Sequence, residues 1–311
     1  MWTELGPGHE FDLIRRMLRR WGEASNSTGD DAALLDVPLG HRLVVSTDTS
    51  QEDVHFRRDW LSLEEIGYRC TTGAMSDLAA MAATPAGLLV AATIPLDVAA
   101  EIESLADGIG AAARVARCPI VGGDLNRGDR ISLTTTVLGS VVEPVRRRGA
   151  RAGDAIYVTG RLGGPGAAVK AWSAGKQPEP THRARFAHPV ARLDEARWLA
   201  ERGVTALIDI SDALASEARH LAAASGVRLR IELDLIPRVP GVSAPDAAIS
   251  GEEYELLLAA PDELDSVSFA ARFDIPLSRI GRVEAAGQPS VAFFHGGSRV
   301  DLHGGYDHFS A

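Results

Sequence analysis

From Cys70 to Leu96 the chain carries a single charged side chain, Asp77. A stretch this apolar must be covered by the rest of the molecule. It is also too broken to be one element, because Pro85 stops a helical pattern and GLLVAATI at 87–94 then reads as a strand. Upstream, Ser62-Leu63-Glu64-Glu65 has capping-box spacing, so the helix opens there and runs toward Ala83. On a helical projection Asp77 shares a side with Ile66, Cys70, Gly73 and Met81. A lone carboxylate on a buried stripe costs several kcal/mol unless it is paired, protonated or bound to a cation. No Lys, Arg or His lies nearby in sequence to pair with it. That leaves a metal ligand, or an Asp at a helix end bridged to a distant Arg.

The surrounding pattern alternates strands and helices, which predicts an α/β class. Apolar residues at 13, 14, 17, 18 and 21 mark a helix over 11–21, and strands are predicted at 33–37 and 42–47. After the 87–94 strand come a helix around 97–116, a strand at 119–121, a turn at Gly122-Gly123-Asp124 and a strand over 131–142. A domain boundary is expected near 143–152, EPVRRRGARA, which separates a domain 1–145 from a domain 146–311. The second half repeats the α/β alternation, with strands at 154–159, 204–208, 228–235, 254–259 and 277–284 and a C-terminal hairpin. Its helices are predicted near 165–175, 190–202 and 213–224, the last ending at Ser225-Gly226. The Pro-rich, polar stretches 176–188 and 237–248 read as surface loops.

Composition narrows the partners. A formal net charge of −10 argues against a nucleic-acid surface. An acidic protein that handles phosphates needs divalent cations to turn carboxylates into a phosphate site. The two cysteines, Cys70 and Cys118, lack CxxC spacing and read as buried thiols. The N-terminal segment is amphipathic, without the apolar core of a signal peptide, and no run is long enough to span a bilayer. A cytoplasmic location without membrane attachment is therefore expected.

Several Asp residues follow apolar strands in short turns: Asp48 after RLVVST, Asp124 after PIVGG and Asp209 after VTALI. Asp30 and Asp31 precede AALLDV. Each alone reads as a turn or capping residue before it reads as a ligand. Together with Asp77 they form a recurring set of hard oxygen donors suited to magnesium. Asp209-Ile-Ser-Asp212 opens a helix with Ser211 as a candidate N-cap, a place that favours anions. Its two Asp residues fit either a macrodipole role or a metal role. No GxxxxGK[ST], GxGxxG, GxSxG or HExxH pattern is present.

The segments GDDAALL at 29–35, Ser46-Thr-Asp-Thr49 with Val54-His55-Phe56, SDLAAM at 76–81, VGGD at 121–124, DISD at 209–212, SGEEYEL at 250–256 and GYDHF at 305–309 occur in the order seen in thiamine-monophosphate kinases. The chain resembles that family from Glu10 to Phe309. The resemblance implies a two-domain fold of the aminoimidazole ribonucleotide synthetase type. Its N-terminal domain would bind ATP and metal and would form a β-barrel across a homodimer; its C-terminal domain would be α/β. It implies ATP as co-substrate, Mg2+ as cofactor, thiamine monophosphate as acceptor and direct in-line phosphoryl transfer.

Carried over by motif, Asp31, Ser46, Thr47, Asp48, Asp77, Asp124, Asp209 and Asp212 match metal positions. Of these, Asp48, Asp77, Asp124 and Asp209 match catalytic ones. Gly123, Asp124, Arg147 and Ser211 match positions around the nucleotide phosphates, and His55, Glu252 and Tyr306 match positions around the acceptor. Departures from the family pattern are Ser50-Gln51-Glu52-Asp53 for Leu-Val-Glu-Gly, Ala74 for Asn, Ala82 and Ala213 for Gly, and Ser250-Gly251-Glu252-Glu253 for Gly-Gly-Glu-Asp. They motivate two alternatives: another ATP-using member of the superfamily, such as a ribonucleotide synthetase, or a catalytically silent nucleotide-binding regulator.

Overall fold

In the computed structural model the Ser62 box closes as its spacing predicts. The Ser62 N–H donates to Glu65 Oε2 at 2.9 Å and the Glu65 N–H donates to Ser62 Oγ at 3.2 Å. The structure describes residues 8–25, 28, 32–261, 263–288, 290–302 and 304. Contacts divide the chain into two units, Met1–Leu78 with Ala83–Glu143, and Ala79–Ala82 with Pro144–Ala311.

The first unit runs α1 (His9–Trp21), β1 (Arg42–Gln51), α2 (Leu63–Ala80), β2 (Thr84–Ile94), α3 (Leu96–Ala100), α4 (Ile102–Val115), β3 (Ile120–Arg127) and β4 (Ser132–Val141). Its four strands are ordered β1-β4-β2-β3, with β1 and β2 antiparallel to β4 and β3 parallel to β2. Helices α2 and α4 cross with their backbones in near contact. A Cβ on Gly67 would lie 2.3 Å from Leu105 O, and one on Gly108 would lie 1.8 Å from Glu64 O. Only glycine fits at such a crossing.

The second unit holds β5 (Ala155–Thr159), α5 (Gly164–Ser173), α6 (Pro180–Ala187), α7 (Leu193–Ala200), β6 (Ala206–Asp209), α8 (Leu214–Ser225), β7 (Arg228–Glu232), α9 (Ala244–Ala248), β8 (Leu256–Ala260), α10 (Ser266–Phe273), β9 (Leu277–Glu284), β10 (Val291–His295) and β11 (Ser298–Val300). A seven-stranded mixed sheet, β11-β10-β7-β9-β5-β8-β6, forms its centre. Ile156, Val158, Ile208, Leu257 and Ile280 from that sheet pack with Leu214, Ala218 and Leu221 of α8 in one buried core.

The structure corrects several expectations. Residues 33–37 form no strand, and Leu34 there is almost wholly exposed. The Gly122–Asp124 turn is absent, because these residues lie within β3. Gly123 serves close strand approach instead, since a Cβ on it would sit 2.1 Å from Val90 O. The expected loops 176–188 and 237–248 contain α6 and α9. Both helices carry Pro in their first turn, and Ser243 caps α9 by accepting from the Asp246 N–H. Pro and Ser there start helices; they do not break them. The 97–116 helix is interrupted at Glu101. Ser211 is not an N-cap, because α8 begins at Leu214 with Ala213 at that position.

Candidate active-site residues

In the first unit, β1 and α2 bring two of the singled-out residues together. Ser46 Oγ donates to Asp77 Oδ2 at 2.5 Å, so the lone carboxylate of the apolar stretch is half-buried and hydrogen-bonded. Pairing register then sorts the others. Side chains alternate between the two faces of a sheet. Asp48 pairs with Thr135 and Val90 pairs with Thr135 and Gly123, which puts Ser46 and Asp48 on the same face as buried Val137, Thr135 and Leu133. Thr47, Thr49 and Asp124 fall on the opposite face. There Thr47 bonds Thr136 at 3.0 Å, Thr49 bonds Thr134 at 2.8 Å, and the Asn126 amide donates to Asp124. Because β1 and β3 are the two ends of the strand order, Asp48 and Asp124 stand roughly 14 Å apart across three strand spacings.

The 51–56 turn that follows β1 is held on both sides. Buried Glu52 accepts from the Ile131 N–H at 2.9 Å and from Arg58 Nε at 2.6 Å. Asp53, which stands where the family pattern has Gly, adopts φ 67, and its carboxylate pairs with Arg130 at 2.8 Å. The left-handed conformation accounts for glycine in the pattern, and Asp is among the few side chains that tolerate it. His55 Nδ1 accepts from the Gln51 N–H at 3.0 Å, which in the neutral ring leaves the proton on Nε2.

In the second unit, β6 delivers Asp209 to its C-terminal end and the following turn presents Ser211 and Asp212. The 250–255 segment lies against this turn. Glu252 N–H donates to Ser211 O at 2.6 Å, Tyr254 N–H to Ile210 O at 2.8 Å, and Ile210 N–H to Glu255 O at 2.8 Å. Gly251 makes the approach feasible, since a Cβ there would meet Asp212 O at 2.7 Å. Glu252 and Tyr254 both hold positive φ, 62 and 52, and Tyr254 OH donates to Glu252 Oε2 at 2.9 Å. So Asp209, Ser211, Asp212 and Glu252 share one place.

Sequence reasoning missed Glu217, which joins this group from α8. It accepts from the Asp212 N–H at 3.3 Å and from Ser211 Oγ at 3.5 Å. Burial first, then the charges of Asp209 and Asp212, push its carboxyl up to about 7, while Arg147 pulls the other way. Its signal was there to find: an acidic residue on the same helical face as Leu214, Ala218 and Leu221. Arg147 itself is exposed, and its carbonyl accepts from Ser225 Oγ at 3.1 Å.

Also missed was an ion network beneath the 250–255 segment. Glu255 is fully buried, and it receives Arg192 Nη2 at 2.5 Å, Arg185 Nη2 at 3.0 Å and Thr159 Oγ1 at 2.7 Å. Burial alone would raise its pKa, but Arg192 and Arg185 outweigh that and hold it below the usual range. Neighbouring Glu253 has the opposite fate, pushed up to about 7 by burial against the weaker pull of Arg185. It accepts from Ser250 Oγ at 2.5 Å and from the Gly163 N–H at 2.6 Å, and Ser250 Oγ accepts from the Gly166 N–H at 3.0 Å.

Asp31 and Tyr306 lie outside the described residues. Among the described residues, no three Asp, Glu, His or Cys side chains gather closely enough to hold a metal ion. The donors that do meet, Ser46 with Asp77 and the Asp209–Asp212 turn, are all oxygen, the chemistry that a hard divalent cation takes. Both cysteines are buried free thiols, and burial pushes Cys118 up to about 12. No helix among the described residues is long and apolar enough to cross a membrane.

Known proteins resemble the chain along nearly its whole length. Residues 29–141 match the model of the AIR synthase related protein N-terminal domain, and 151–293 match that of its C-terminal domain. A thiamine-monophosphate kinase of Aquifex aeolicus is 30% identical over 323 aligned positions, covering 98% of this chain and 99% of the relative. The crystal structure of thiamine-monophosphate kinase from Stenotrophomonas maltophilia superposes with a TM-score of 0.81 at 31% identity, covering 95% of this chain and 98% of that one. A structure of AaThiL complexed with AMPPCP and TMP gives 0.76 at 29% identity, with 96% of each chain covered. Two domains of the AIR synthase type, near-complete coverage and this level of identity together mean that the chain belongs to the thiamine-monophosphate kinase family.

Proposed function

We infer that this chain transfers the γ-phosphoryl group of ATP to the phosphate of thiamine monophosphate, giving thiamine diphosphate and ADP. The full-length relationship to thiamine-monophosphate kinases carries the reading. An oxygen of the acceptor phosphate forms the new bond to the γ-phosphorus as the bond to the β-phosphate oxygen breaks. The acceptor is already ionised at neutral pH, so no strong base and no phosphoenzyme are needed. What the protein must supply is alignment and relief of repulsion between two polyanions.

The residues divide that work. Ser46, Asp48 and Asp77, with Asp31, would hold Mg2+ on one face of the first unit's sheet. Thr47 would reach that face only through its backbone, because its hydroxyl pairs with Thr136 on the other face. Asp124, midway along β3, would hold Mg2+ on that other face, and Asp209 and Asp212 would do so on the second unit. Held by these residues, Mg2+ would supply neutralisation of phosphate charge. Gly123, Ser211 and Arg147 would receive the nucleotide phosphates, Arg147 as a planar fork of donors. His55, Glu252 and Tyr306 would face the acceptor. The Arg185–Glu255–Arg192 network holds the strained 252–254 backbone, and so the direction of Glu252.

We also propose a homodimer in which the four-stranded sheet of one copy closes with that of a second into a barrel. Leu43 and Val45 project at 50% and 54% exposure on the sheet face away from Asp48, beside the paired threonines. Burying that face would remove them from water and shelter the two edge strands.

Purified protein with ATP, Mg2+ and thiamine monophosphate should yield thiamine diphosphate, read by chromatography. Activity at background with intact ATP binding would reject the acceptor. Asp77→Asn should lower kcat by about 100-fold or more while leaving the circular-dichroism spectrum and Tm unchanged. A near-normal rate in that variant would remove Asp77 from the machinery.

A further inference from the structure

Residues 252–255 alternate between two fates. Glu253 and Glu255 are fully buried and bound from several sides, by Ser250 and the Gly163 N–H in one case and by Arg185, Arg192 and Thr159 in the other. Glu252 and Tyr254, which alternate with them, stay half-buried. Both of these adopt left-handed backbone, φ 62 and 52, a conformation unfavourable for any residue with a Cβ and most of all for a bulky one. Such strain persists only where the surroundings over-determine it, and it gathers where a side chain must be aimed. Here the surroundings are the turn after β6. Ser211 O and Ile210 O accept from the Glu252 and Tyr254 N–H groups at 2.6 and 2.8 Å, and the Ile210 N–H donates to Glu255 O at 2.8 Å.

The strained backbone brings the two outer side chains within reach of each other. Tyr254 OH donates to Glu252 Oε2 at 2.9 Å. The chemistry of that donor matters. A tyrosine hydroxyl gives one proton and brings no positive charge, so it fixes a carboxylate oxygen without forming an ion pair. The buried glutamates of the same segment are treated differently, since Arg185 pairs with both and Arg192 with Glu255. A carboxylate aimed by a neutral donor suits attraction to a positive charge that arrives with a ligand.

We propose that Tyr254 is a positioning residue for acceptor recognition: its hydroxyl aims the Glu252 carboxylate at the cationic nitrogen heterocycle of the acceptor. It sets acceptor affinity and takes no part in the transfer itself. The inference rests on the reading of the chain as a thiamine-monophosphate kinase and deepens it on the acceptor side.

Tyr254→Phe deletes the hydroxyl and keeps the ring. In the full-length enzyme it should raise the KM for thiamine monophosphate at least about fivefold, with kcat, the KM for ATP and Tm near wild type. A hydroxyl that only braced the fold would instead lower Tm or spread its effect to kcat and to ATP. Glu252→Gly, which suits φ 62, removes the carboxylate through which the hydroxyl acts. In that background Tyr254→Phe should change kcat/KM by less than about twofold. A wild-type acceptor KM in Tyr254→Phe overturns the proposal. So does a fall in Tm that accompanies the loss, or an equal penalty with and without the Glu252 side chain. If the Glu252→Gly enzyme is too slow to measure, the single variant decides. The kinase reading fails separately, at the wild type, by absence of thiamine diphosphate, and would take this proposal with it.

Discussion

Three departures from the family pattern, at Asp53, Ser250 and Glu253, have physical explanations at the level of single residues. Asp53 replaces Gly at φ 67 and returns part of the cost by pairing with Arg130, though both groups are substantially exposed and the pair is worth little. Asp53→Gly should therefore leave stability within about 0.5 kcal/mol, and Asp53→Ala should lose about 1 kcal/mol, measured by urea unfolding. Ser250 and Glu253 depart together, and the structure couples them: the added hydroxyl donates to the lengthened carboxyl. Glu253 is raised to about 7 from 4.5, so it binds its proton more tightly folded than unfolded. The stability it contributes is complete below about 4.5 and is lost as pH climbs through about 7. Between those limits the wild type should lose about 3 kcal/mol relative to Glu253→Gln, seen as diverging denaturation midpoints. Parallel pH profiles would mean that Glu253 titrates alike in the folded and unfolded chain.

Elements in this protein are placed by small residues as much as by large ones. The α2–α4 crossing depends on Gly67 and Gly108 having no side chain. Gly108→Ala should cost about 3 kcal/mol or more, since the intruding methyl meets backbone that cannot rotate away. Ser62→Ala removes one half of the box that starts α2 and should cost about 1 kcal/mol. Both are read by thermal or urea unfolding, and the second sets the scale against which the first is judged. At the other end of α2, Asp77 reaches Ser46, so the placement of this helix and the proposed phosphate chemistry are linked through one side chain.

For the molecule as a whole, the exposed outer face of the four-stranded sheet is the feature that one copy leaves unfinished. Light scattering should report twice the chain mass. Val45→Arg should give a monomer with its secondary structure retained, because the charge would be buried only on closure of the barrel. A wild-type monomer would end the barrel proposal without touching the fold of either unit.

Strand and helix identity was largely legible in the chain because it follows local periodicity and capping. Examples are the box at Ser62, the alternation along 131–142 and the glycine after Ser225. Local reading failed where one residue type serves two purposes. The Pro-rich stretches start α6 and α9, and the Gly122-Gly123 pair permits close strand approach within β3. Of the candidate site, the sequence by itself named the oxygen donors and their order, since those are properties of residue type. It could not say that Ser46 would meet Asp77, that Asp48 and Asp124 would occupy opposite faces of one sheet, or that Glu217, Arg185 and Arg192 would complete the surroundings of the DISD turn. Those facts depend on strand register and on contacts between residues far apart in the chain, which only tertiary packing decides.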